Sequence, residues 1–166
     1  MKWISAIFLV FLIGSCSETT CLQGDPEAIF NDQLPGVKQH RFEYYPDQHK
    51  SEEYLLLDSN EALELWQSGC EHLRQEYRFI VPGPISQEEE NDPFFWIATL
   101  LKRLDNLRKL GISYGQYGDY VRAIAERAEN WVMGEPQELA PGFYATIDLI
   151  PASENNILML ILSDQP

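Results

Sequence analysis

The residues able to do chemistry are few: His40, His49 and His72, with Cys16, Cys21 and Cys70. A metal site could be built from His49, Asp47 and one further ligand, because zinc needs at least three protein donors in a fixed geometry. Pro46-Asp47-Gln48-His49 is however a turn cluster, where a histidine is more often solvated, and no metal is expected. Cys70 could be a nucleophile only beside a base, and no base partner is evident in the sequence. His72 reads as an edge residue. Gly-x-Ser-x-Gly, His-Glu-x-x-His, a phosphate-cradling glycine loop and Cys-x-x-Cys are all absent. The expectation is a protein that is not an enzyme, with no catalytic residue and no cofactor.

Binding chemistry is better represented. Tyr114-Gly115-Gln116-Tyr117-Gly118-Asp119-Tyr120 sets three tyrosines among two glycines. Tyrosine gives rigid amphipathic contact area, so Tyr114, Tyr117 and Tyr120 are candidate binding residues. The plainer alternative is an interhelical connection with Tyr117 and Tyr120 packed inward. Glu88, Glu89 and Glu90 form an acidic run that could hold a basic partner or simply favour a helix start. Lys102, Arg103, Arg108 and Lys109 gather toward the end of one helical stretch, where positive charge is favourable without any ligand.

The balance of 26 acidic against 12 basic residues leaves a formal charge of −14. Such a surface repels nucleic acid and anionic headgroups and attracts cationic partners.

Met1-Lys2-Trp3 precedes an apolar run ending at Ile13, a secretory signal pattern too short for a membrane span. Ile13-Gly14-Ser15-Cys16 resembles the lipobox of bacterial lipoprotein precursors. The resemblance covers only this N-terminal stretch. It implies cleavage after residue 15, a diacylglycerol thioether on Cys16, and stable anchoring once two or more acyl chains are attached. Ser17, where aspartate would retain such proteins at the inner membrane, implies the outer membrane, facing the periplasm, in a Gram-negative cell. With Cys16 lipidated, Cys21 and Cys70 are left as an even pair in an oxidising compartment, and a disulfide between them is expected, against two buried free thiols.

The elements that would position these residues follow from periodicity. Residues 16–39 read as a lipidated tether that partly packs on a single globular domain over 40–166. Arg41–Tyr45 alternates as a strand, and Glu53–Leu57 could pair with it as a hairpin. Asp58 with Glu61 has capping-box spacing, and Ala62, Trp66, Gly69, Cys70, Leu73 and Tyr77 step as a helix face. Arg78–Val81 is a short strand. Asp92 and Pro93 open a second helix to about Leu110, with Phe94, Ile97, Leu100, Leu101, Leu104 and Leu107 inward. A third follows, with Asp119 as cap, an Arg122–Glu126 pair outside, and Tyr117, Val121, Ile124, Ala128 and Trp131 inside. Phe143–Ile150 and Ile157–Leu162 close the chain as a hairpin. The predicted fold is α+β: a mostly antiparallel sheet of about five strands with three helices on one face, in the order ββαβ-αα-ββ.

The functional expectation is an envelope-anchored lipoprotein that binds another envelope component, a protein, with a basic one suited to the acidic surface. The alternative is a periplasmic inhibitor or immunity-type lipoprotein that neutralises a cationic toxin or lysozyme-like hydrolase.

Overall fold

The computed structural model describes residues 24–70, 72–109 and 117–166. The chain is α+β, with a seven-stranded antiparallel sheet in the order β1-β2-β3-β4-β7-β6-β5. The strands are β1 (Val37–Tyr45), β2 (Lys50–Leu57), β3 (Ala62–Ser68), β4 (Arg74–Pro82), β5 (Gln137–Ala140), β6 (Phe143–Ile150) and β7 (Asn155–Ser163). Between β4 and β5 lie one helical turn, α1 (Gln87–Glu90), and two longer helices, α2 (Pro93–Lys109) and α3 (Tyr117–Arg127). The first four strands form a meander, and the last strand returns to pair with β4.

Strand count and order differ from the expectation of about five strands in the order ββαβ-αα-ββ. The expected helix over 58–77 is instead the loop between β2 and β3, then β3 and the start of β4. Asp58-Ser59-Asn60 is a hairpin loop: the Leu57 N–H donates to Glu61 O at 2.9 Å, and Asn60 takes the left-handed φ of 63°. A three-residue loop ending in a left-handed residue is a standard hairpin closure, and asparagine tolerates that conformation. After it, Leu63, Leu65 and Gln67 are buried while Trp66 is exposed, a two-residue alternation. At the end of β3, Gly69 has φ 130°, and a Cβ there would lie 1.6 Å from the His72 carbonyl oxygen. A helix cannot pass through that geometry. The short β5, at the sheet edge beside β6, was also unforeseen.

α2 begins where expected. The Phe95 N–H donates to the Asp92 carboxylate at 3.1 Å, an N-cap contact. Its inner stripe is shifted: Trp96, Ile97, Leu100, Leu104 and Leu107 are buried, whereas Phe94 is 59% exposed. The Trp96 indole N–H is satisfied by the Glu89 carbonyl at 2.7 Å, which ties α1 to α2. In α3, Asp119 lies inside the helix and pairs with Arg122, replacing the expected Arg122–Glu126 pair.

One core forms under one face of the sheet. Leu55, Leu65, Ile147, Leu158 and Leu160 point into it beside Trp96, Leu100, Leu104 and Ile124 from the helices. Across β1–β3 the same face is covered by residues 24–36, with Phe30 buried. β1 itself starts at Val37, within the stretch expected as tether. That N-terminal segment is held by a buried carboxylate. Glu53 accepts the N–H groups of Ile29 at 2.9 Å and Phe30 at 2.8 Å, and His40 Nε2 lies 2.7 Å away. The Gln67 amide donates to Glu27 O at 2.9 Å, and the Tyr44 hydroxyl donates to Asp25. These bonds satisfy groups that would otherwise be costly to bury.

Candidate functional site

The second face of the sheet is the feature that stands out. Strand by strand, side chains of alternate residues point away from the helices, and none of those on β1–β4, β6 and β7 is buried. An antiparallel sheet can leave one face to solvent, but such a face is ordinarily polar. This one is zoned. At one end, Leu56, Ala62, Ile80, Ile157 and Ile150 are cross-strand neighbours in sequence of register, an apolar row across β2, β3, β4, β7 and β6. Four strand spacings make it about 19 Å wide. Ile150 is 39% exposed. The next row is charged: Tyr54, Glu64, Arg78, Met159 and Asp148. Arg78 lies 3.8 Å from Glu64 and stacks 4.2 Å over the Trp66 ring, an ion pair and a cation–π contact made by one guanidinium.

Trp66 stands one row further on, about 13 Å along the strand from Ala62. It is flanked directly across strands by Glu52 and Glu76. A groove of about 490 Å³ opens beside it, lined by Tyr45, Lys50, Glu52, Trp66, Arg74 and Glu76 among others. Arg74 grips Glu76 with Nε at 3.0 Å and Nη2 at 2.7 Å. The Tyr45 hydroxyl points to Glu52 at 3.4 Å, and burial followed by Glu43 and then Glu52 raises its pKa.

The residues singled out in the sequence fall elsewhere. Cys16, Cys21 and Tyr114 lie outside the described residues, as does the side chain of Tyr117. Cys70 is disulfide-bonded, and its partner lies outside the described residues, so pairing with Cys21 stays an expectation. Tyr120 stacks on Phe143 with ring centroids 4.7 Å apart, and burial, then Asp119, raises its pKa. Its ring is therefore engaged in packing on Phe143. Glu88 and Glu90 are exposed on α1, while Glu89 closes a capping box with Ser86. The carboxylate of Glu89 is held below its ordinary range, first by the Ser86 backbone N–H and then by its hydroxyl.

Three of the four residues in the basic group, Arg103, Arg108 and Lys109, are paired locally. Arg108 and Lys109 both reach Asp105 at 2.7 Å. Arg103 lies 3.6 Å from Glu61, and burial lowers its pKa while Glu61 opposes that shift. His49 sits 3.6 Å from Asp25 and His72 is 3.6 Å from Asp164. Among the described residues, no group of three or more His, Cys, Asp or Glu is arranged to hold a metal ion. Among the described residues, the half-buried His40 and buried Glu53 make the tightest His–carboxylate pair, at 2.7 Å. Its carboxylate is already occupied by two backbone donors, and neither residue opens on the groove beside Trp66.

Sequence reasoning missed Trp66 because a helical stripe claimed it. The signal that could have found it is Leu63-Glu64-Leu65-Trp66-Gln67, whose alternation puts the tryptophan opposite the leucines. Among the described residues no helix is long and apolar enough to cross a membrane. Comparison with protein-family models, curated proteins and solved structures returned no match to this chain.

Proposed function

We propose that this chain is a lipid-anchored, non-enzymatic envelope protein whose folded domain binds another envelope protein on the open face of its sheet. The observation that carries the reading is the apolar row from Leu56 to Ile150, in which Ile150 is exposed and Leu56, Ala62, Ile80 and Ile157 are half-buried. Contiguous exposed apolar surface with a polar surround marks interaction sites. Here the charged row of Glu64 and Arg78 supplies one side of that surround. The anchor is the thioether on Cys16, and its place is the periplasmic side of the outer membrane. The formal charge of −14 favours a basic partner and speeds its approach. It also favours a narrower version, in which the partner is a cationic toxin or lysozyme-like hydrolase that the protein neutralises. Glu88 and Glu90 contribute to steering.

Co-purification with the full chain from envelope extract tests this. Ile150→Arg should abolish capture of the partner without unfolding the domain, because the side chain is already exposed. Charge reversal at Glu88 and Glu90 should slow association and flatten its salt dependence. Retention of the partner by Ile150→Arg contradicts the assignment of the face. Cys16→Ala tests the anchor: fatty-acid labelling and membrane residence should both be lost, and persistence of both contradicts it.

A further inference from the structure

We propose that the groove beside Trp66 binds an uncharged oligosaccharide, with one sugar ring stacked on the indole. This does not rest on the lipid anchor or on a protein partner at the apolar row. The first observation is exposure. Trp96 and Trp131 are 1% and 4% exposed, whereas Trp66 is 39% exposed on the open sheet face. Tryptophan is a large apolar surface to leave in water, and it is kept where one side of a ligand is apolar and the rest is wet. A pyranose ring has that character: its C–H groups form an apolar face and its hydroxyls ring the edge.

The second observation is what surrounds the indole. Glu52 and Glu76 stand directly across the strands on either side, to accept hydroxyl protons. Lys50, Arg74, Gln48 and Ser68 supply donors along the same groove. The third is charge. Within the lining, Lys50 and Arg74 balance Glu52 and Glu76, although the chain carries −14 overall. An anion would meet the two carboxylates and a cation the two bases. A neutral polyhydroxyl chain can use both kinds of group at once. The fourth is fixation. Arg74 is held on Glu76 by two bonds, and Arg78, which is not among the groove-lining residues, stiffens the indole by stacking on it. Prefixed side chains lower the ordering cost of binding. The volume of about 490 Å³ is that of a small-ligand site.

Calorimetric titration of the full chain in a sugar-free detergent, with cellotriose, maltotriose and tri-N-acetylchitotriose, tests the proposal. At least one should bind with a millimolar or tighter Kd. Trp66→Ala should weaken it at least tenfold, and Trp66→Phe should weaken it less, because an aromatic face remains. Glu76→Gln, which keeps the shape, provides an independent weakened variant should Trp66→Ala fold poorly. Acrylamide quenching read as wild type minus Trp66→Phe isolates the Trp66 emission, and bound sugar should shield it. No binding by any of the three at about 10 mM overturns the proposal, as does unchanged affinity in Trp66→Ala and Glu76→Gln. Trp66-dependent binding of triarginine or triglutamate without sugar binding overturns it too. Partner capture by the apolar row is scored separately through Ile150→Arg, so either idea can fail alone.

Discussion

Glu53 shows how much one side chain organises here. It is 1% exposed and serves as acceptor for two backbone N–H groups and a neighbour for His40, so one carboxylate fastens residues 29 and 30 to β2. Removing one partner of such a buried set costs about 3–5 kcal/mol, since the remaining donors are stranded away from water. Glu53→Ala should therefore lower stability by that order in urea melts and expose residues 24–36 to proteolysis before global unfolding. Melts and cleavage kinetics identical to wild type would show that Glu53 does not hold the segment. Glu89 supports a pH prediction. Its folded carboxyl pKa lies below the ordinary 4.5, so the capping contribution is present above 4.5 and is lost as pH falls through the lower folded value. An NMR titration of Glu89 should show a midpoint below 4.5, raised part of the way back by Ser86→Ala. A midpoint at or above 4.5 contradicts the capping box. Ser86-Gln87-Glu88-Glu89 carries capping-box spacing that the sequence reading passed over, whereas the Glu53 role was not legible in sequence. Nothing local reveals that Glu53 lies on the core face until its neighbours Leu55 and Leu57 are known to be buried on the same side.

At the scale of elements, β1, β2, β6, β7 and α2 were readable because one periodicity dominated each. β3 was not. Ala62, Trp66, Gly69, Cys70, Leu73 and Tyr77 obey helical steps, while Leu63, Leu65 and Gln67 obey a two-residue step in the same stretch. What decides between the two patterns is backbone conformation at Asn60 and Gly69, both at positive φ. Asp58-Ser59-Asn60 carries turn chemistry as strongly as capping chemistry, and pairing across the sheet settles the matter. Gly69 gives the direct test. A side chain there needs both a rarely populated conformation, worth about 1–3 kcal/mol, and displacement of the His72 carbonyl. Gly69→Ala should lower the unfolding free energy by at least that amount and accelerate amide exchange first in β3 and β4. Unchanged exchange in those strands would mean that the turn relaxes without cost. For the site, the same ambiguity was decisive: placing Trp66 on a helix face hid both the groove and the row of open-face residues around it.

For the molecule as a whole, the sheet divides function from structure. One face is covered by α2, α3 and residues 24–36 and holds the core, and the other has no buried residue on β1–β4, β6 and β7. Composition showed an acidic domain of the right size to fold, and the order of elements led to the expectation of helices on one face of the sheet. That asymmetry arises because α1, α2 and α3 sit within a single connection between β4 and β5. The central claim is that the bare face is the contact surface. A photocrosslinking amino acid installed in cells at Ile150 or Ile80 on that face, and at Lys102 on the exposed side of α2, tests it most directly. Covalent adducts to another envelope protein from the two sheet positions, with none from Lys102, are the expected result. Adducts confined to Lys102, or none from either sheet position, would contradict it.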